Sequence, residues 1–159
     1  MIRDNRPYSI WSSPMKFWQL LGYLGLLPFL FGLYFSVTNS SDAINSHFPF
    51  IAYSAIILSF IAGSLWQVKE FHFKQKNLLA RQQLISNLIS LLAFIALLTP
   101  ARYSLILLCI GYLFLWRYEK YLAKIYVRTK LSDYLKMRFR LTHIVIALHI
   151  AAYLFWFVG

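Results

Sequence analysis

The stretch YSAIILSFIAGSLWQ, residues 53–67, carries no charge, and small residues punctuate it at helical spacing. Ala52, Ala55, Ser59, Ala62 and Gly63 fall near one stripe, which Trp66 extends. A helix needs about 20 mostly apolar residues to cross the roughly 30 Å hydrocarbon core of a bilayer. Together with the apolar residues before it, the stretch supplies one such span, expected over residues 48–67. Leucine throughout would suffice for solution in lipid, so the small side chains need a second reason. Lipid tails are as apolar as Leu, and one span adheres to another through close backbone approach, dispersion and interhelical hydrogen bonds. Ala55, Ser59 and Gly63 are spaced by four, a repeated small-xxx-small pattern that suits such an approach.

Working outward, residues 17–37, 82–99 and 141–158 read as further spans, and 103–118 as a shorter fifth whose pattern runs on through Leu122. Only TPAR separates the third and fourth, and Pro100 supplies the stop, so these two form a tight antiparallel hairpin. The first apolar stretch is too long for the core of a signal peptide, and no A-x-A site follows it. The expected fold is an all-α integral membrane protein, a five-transmembrane-helix bundle. It comprises a basic tail over 1–16 and one membrane domain over 17–159, with a basic helical connection at 117–140. Composition agrees: 60% of the 159 residues are hydrophobic and 13% charged, against about 45–50% and about 25% in soluble domains.

The net charge of +11 is a matter of topology. Fifteen of the sixteen basic residues fall in the tail, the second connection and the fourth connection, all on one side of the expected bundle; Arg102 stands alone opposite. The positive-inside rule then places the N-terminus in the cytoplasm and the C-terminus in the periplasm of a bacterial inner membrane. The same distribution argues against nucleic acid as the partner. Trp18, Trp66 and Trp116 at cytoplasmic ends and Trp156 at the outer end form the expected interfacial belt.

The first span offers a second surface of small residues, Gly22, Gly25 and Gly32, interrupted by Pro28, which cannot donate to the Leu24 carbonyl. These faces are expected to pack the first two helices together. In the third span, Ser86 and Ser90 share a stripe. Asn87 is expected to face another helix, because an unpaired amide loses its water partners in lipid.

No Asp, Glu, Lys or Arg lies well inside a span, which weighs against ion coupling through buried carboxylates. His149 lies near the middle of the last span and His143 near its start. Six residues turn a helix by about 600°, so the two point to different faces. An intramembrane His is a functional candidate; here it is weighed against a neutral His bonded to a Ser or a backbone carbonyl. His47 and His72 fall in connections, leaving no second deep His for a bis-histidine haem. The single Cys109 excludes an internal disulfide and a CxxC metal site, and no metal ligands are assigned. GxSxG, HExxH, Walker A and GxGxxG motifs are absent.

RYEKYLAKIYVRTK, residues 117–130, reads as a helix with Arg117, Lys120, Lys124 and Arg128 on one face, suited to anionic headgroups or to an acidic partner. Arg138 reads as a residue that reaches helix-end carbonyls or lipid phosphate.

Three stretches, LGYLGLLPFLFGL, YSAIILSFIAGSLW and YLKMRFRLTHIVIAL, together resemble the transmembrane-protein-69-like family, also labelled domain of unknown function 3429. Gly25, Pro28 and Phe29 match its first element. Tyr53, Ala55, Leu58, Ser59, Phe60, Gly63 and Trp66 match its second. Tyr134, Arg138, Leu141 and Thr142 match the third, with Met137 where Leu is usual. Glu119 is the nearest counterpart of an acidic residue usual near the end of the fourth span, and LWQ replaces a frequent His-Trp-Gly. The resemblance implies a small multi-span protein of the bacterial inner membrane or its mitochondrial descendant and supplies no activity.

The sequence thus reads as a membrane protein that works by binding rather than as an enzyme. It is expected to be an accessory or assembly component of a larger membrane complex, a respiratory one among the candidates. Two alternatives stand beside this reading. One is a lipid- or quinone-binding carrier or enzyme whose pocket lies among His149, Asn87, Ser90 and Ser59, with Arg138 at its mouth. The other is a homo-oligomer formed through Ala55, Ser59 and Gly63. No cofactor is assigned beyond that quinone or lipid.

Overall fold

The computed structural model describes residues 17–38, 43–67, 76–125 and 132–158, and among them every regular element is helical. The first expected span is broken where Pro28 forbids continuity. α1 (Phe17–Leu24) and α2 (Leu27–Thr38) meet at a turn over Gly25 and Leu26. The Leu26 N–H turns back to the Tyr23 carbonyl at 3.0 Å, a tightened last turn that ends α1. α3 (Ala43–Gly63) runs into a 3-10 turn (Ser64–Gln67), followed by α4 (Lys76–Leu98), α5 (Ala101–Ile125) and α6 (Ser132–Phe157).

Among the described residues, four helical segments are long and apolar enough to cross a membrane: Gln19–Thr38, Ser46–Trp66, Leu78–Leu98 and Tyr134–Phe157. α5 has the length, at 25 residues, but Arg117, Glu119, Lys120 and Lys124 crowd its C-terminal part. The helices also outrun their expected bounds. α3 starts before residue 48 with Pro49 inside it, and α4 starts before 82. α5 and α6 reach into the connection expected at 117–140, leaving 126–131 between them. A helix completes its backbone hydrogen bonds internally, so polar ends extend it beyond the apolar stretch. His47 is therefore helical rather than in a connection. The tail over 1–16, Lys69, His72, Lys74, Arg128 and Lys130, and the Trp18 side chain, lie outside the described residues.

α3 is the central helix, packed against α2, α4 and α5, while α6 closes against α5 and α2. The core face of α3 is Ile51, Ala55, Leu58 and Ala62, continued by Leu65 in the 3-10 turn, at three- and four-residue spacing. Gly63, one residue past Ala62, turns about 100° away; a side chain there would meet nothing within 4 Å. Of the expected small-residue faces, Ala55 is buried, Ser59 half-buried and Gly63 open. Gly32 does face α3: a Cβ there would come within 3.1 Å of Phe50 Cα. Gly22 faces α6 instead: a Cβ there would meet the Leu141 and Met137 side chains at 3.1 and 3.3 Å. The closest approach belongs to Gly111 on α5, where a Cβ would meet Leu58 Cδ2 at 2.6 Å and Leu92 Cδ2 at 3.2 Å. Large apolar side chains cover the outside, Phe31, Phe60 and Leu98 among them. An exterior of that kind suits lipid rather than water.

The expected α4–α5 hairpin forms. The Tyr103 and Ser104 N–H groups donate to the Pro100 carbonyl at 2.9 and 3.1 Å, opening α5. The Ser104 hydroxyl lies 2.6 Å from the Ala96 carbonyl and 2.9 Å from that of Thr99, and its one O–H donates to the nearer, an acceptor that the end of α4 leaves without a helical partner.

Candidate functional site

On α6, Tyr134, Met137, Arg138, Leu141, Thr142 and Val145 recur at three and four residues and so share one face. That face borders a cavity of about 330 Å³ whose other walls come from α1, α2, α3 and α5. Gly22, Leu26, Phe29, Ile57, Ile61 and Leu141 make it chiefly apolar. The absence of a side chain at Gly22 lets α1 lie against Met137 and Leu141. The Tyr53 hydroxyl donates to the Gly25 carbonyl at 3.0 Å and pins the α1–α2 turn to α3.

The α6 wall also carries polar groups. Arg138, 6% exposed, donates from Nε to Glu119 Oε2 at 3.1 Å and from Nη2 to Oε1 at 3.4 Å. The expected reach towards helix-end carbonyls or lipid phosphate gives way to a buried ion pair between α5 and α6. Burial holds the Glu119 carboxyl above its ordinary range, with the Arg138 guanidinium pulling the other way. Two of the five guanidinium N–H groups are engaged by the carboxylate. Thr142, one turn along, is 2% exposed, and its hydroxyl finds no hydrogen-bond partner among the described residues. The α6 wall of the cavity is thus partly polar and, with the pair counted together, without net charge.

His149 lies elsewhere. Its Nδ1 is 2.8 Å from the Val145 carbonyl, which can only accept, so Nδ1 carries the proton. Nε2, 2.8 Å from Ser54 Oγ, then accepts from that hydroxyl in the neutral ring. Tyr112 donates to the Ser54 carbonyl at 2.9 Å, completing a buried link of α3, α5 and α6. Phe29, Phe50 and Tyr112 rings surround the imidazole. Both nitrogens are engaged, and the residue reads as an interhelical tie.

The other expected pocket residues are not brought to His149. Asn87 is exposed on the outer face of α4, a correction to the inward placement expected from the cost of its amide; Ser90 and Ser59 are half-buried. Ser86 takes the inward position and donates to the Ala62 carbonyl at 2.8 Å. His143 is exposed, with Nδ1 2.7 Å from the Phe139 carbonyl and its ring on Phe139. Of the belt, Trp66 is exposed. Trp116 is half-buried beside Phe139 and under Lys120 Nζ. Trp156 is an internal link: its Nε1 donates to Ser36 Oγ at 3.0 Å and its ring stacks on His47 at 3.9 Å.

A family model described as Protein of unknown function (DUF3429) matches residues 14–154. The chain belongs to the DUF3429 family. The match does not extend to the transmembrane-protein-69 label and carries no activity. No curated protein and no solved structure matches the chain. For this DUF3429 chain the site therefore rests on its own geometry. The residues that sequence reasoning missed are Ser54, Tyr112 and Gly111. Ser54 and Gly111 left a signal, since each is a small residue four positions from another residue of its own core stripe (Leu58 and Leu115).

Proposed function

We propose that the protein is a membrane-embedded binding protein whose ligand is a neutral amphiphile, an isoprenoid quinone or a neutral lipid, held in the cavity between α1–α2, α3, α5 and α6. The observation that carries this reading is the pairing of an apolar space of about 330 Å³ with the unpartnered Thr142 hydroxyl and Arg138, held by Glu119, on its α6 wall. Ligand sites are mostly apolar concavities with a few convergent polar groups, and volumes from about 300 Å³ are typical. Glu119 already neutralises Arg138, which favours a carbonyl or hydroxyl head over a phosphate.

In this reading α5 joins the four apolar helices as a fifth crossing, its apolar residues 103–116 in lipid and its basic end at the surface. Arg81, Arg117, Lys120, Lys124, Lys136 and Arg140 belong to the same end of the bundle, with Arg102 at the other. That asymmetry supports a cytoplasmic N-terminus, a periplasmic C-terminus and an inner-membrane address.

The test is native mass spectrometry of the protein extracted in a polymer nanodisc, beside Ile61→Trp, which fills the cavity, and Thr142→Val, which removes the hydroxyl at nearly constant shape. Wild type should carry one neutral amphiphile per chain, Ile61→Trp none, and Thr142→Val a reduced share. A wild-type chain without small molecule, or equal retention by Ile61→Trp, overturns the reading.

A further inference from the structure

Asn87 stands in the middle of α4, nine residues from Leu78 and eleven from Leu98, the ends of that apolar segment. At about 1.5 Å per residue, each end is some 13–17 Å away, so a crossing helix carries the amide at the bilayer midplane. Its side chain is exposed and makes no hydrogen bond to a described residue. An amide there has no water, and leaving it unpaired in lipid is costly. The described residues offer it no relief, because Ser86, Ile89, Ala93 and Ala96 form the face of α4 turned to the core.

The residues around it have a definite spacing. Ala80, Leu84, Asn87, Leu91, Phe94 and Leu98 are all exposed, and their separations alternate four, three, four, three, four. Every outward helix face tends towards such a repeat; what sets this one apart is a single polar residue at one of its seam positions. In a two-stranded coiled coil a lone Asn in the seam fixes register and the number of strands. Copies of one chain enter the membrane in one orientation, so the α4 helices of two neighbours run parallel. A two-fold axis along the membrane normal then sets Asn87 opposite Asn87 at equal depth. An amide both donates and accepts, so the pair satisfies itself. A different protein would need its own polar group at that depth; this chain supplies one.

We infer that α4 is the interface of a parallel homodimer, with the Leu84–Asn87–Leu91 seam at its centre. This relocates self-association from the Ala55, Ser59 and Gly63 face, where Ala55 is taken up by the chain's own core. It is independent of any ligand in the cavity.

The experiment is oxidative crosslinking in native membranes in a Cys109→Ser background. Leu84→Cys and Leu91→Cys keep Asn87 and should each give a band at twice the mass of the chain. Phe60→Cys, on the exposed face of α3, should not. Adding Asn87→Leu to Leu91→Cys should lower dimer association about three- to twenty-fold, the range expected from measured membrane hydrogen bonds of about 0.6–1.7 kcal/mol. Asn87→Gln should retain it. Equal bands from Phe60→Cys and Leu91→Cys, no band from either seam position, or a seam band of another mass owing to a different protein, would each overturn the inference.

Discussion

Glu119 on α5 and Arg138 on α6 meet as a buried ion pair, with Nε 3.1 Å from Oε2 and both side chains 8% exposed. A buried charge that loses its partner is far more costly than the pair is beneficial. Arg138→Met alone strands the carboxylate and should cost about 3–5 kcal/mol, whereas the double variant Glu119→Leu/Arg138→Met should recover most of that. Thermal unfolding of all three forms in one detergent measures it. Equal losses in the single and double variants would show that the pair does not act as a unit.

His149→Leu removes the ring that joins Val145 to Ser54. The expected loss is about 1–3 kcal/mol, from two buried hydrogen bonds and a hydroxyl left to find another acceptor. His149 is not among the residues lining the cavity, so amphiphile retention measured on the folded fraction should match wild type. A selective loss of ligand at unchanged stability would return His149 to the site.

The two glycines Gly111 and Gly63 should respond oppositely to alanine. At Gly111 the new methyl collides with Leu58, which is fully buried, and overpacking costs about 1–3 kcal/mol. At Gly63 there is open space, and the better helix propensity leaves stability unchanged or up to about 1 kcal/mol higher. Leu58→Val should restore part of the loss at Gly111. Unfolding midpoints in the same series decide the matter.

Tyr53→Phe deletes the hydroxyl that holds the Gly25 carbonyl at 3.0 Å. The direct cost should be about 0.5–1.5 kcal/mol. Because Gly25 and Leu26 border the cavity, the variant should also shed its amphiphile faster on dilution into empty nanodiscs. Identical release rates would separate the turn from the site.

The helices and the α4–α5 hairpin were legible because twenty-residue apolar runs and TPAR are strong local signals. The break in the first span was legible too, since Pro28 removes one identifiable hydrogen bond. The faces were not. Gly63 and Ala62 are neighbours in sequence but about 100° apart on the helix, and a run that is apolar all round gives no polar side by which to orient it. Asn87 was expected inward, and its neighbour Ser86 takes that position, for the same reason. The partner of Arg138 was hidden by distance along the chain: Glu119 lies nineteen residues earlier, on another helix, and nothing local ties the two. The cavity is a product of how five segments meet and leaves no mark in any one of them.

Ser104 has a consequence for how the chain enters a membrane. Its hydroxyl donates to the Ala96 carbonyl, and the Pro100 carbonyl accepts from the Tyr103 and Ser104 N–H groups, so the α4–α5 turn supplies part of its own hydrogen bonding. A helical hairpin whose turn meets part of its own hydrogen bonding carries fewer unpaired backbone groups into lipid when its two helices leave the translocation machinery together during synthesis. In the proposed five-crossing arrangement, only TPAR and its single cation, Arg102, are carried to the far side.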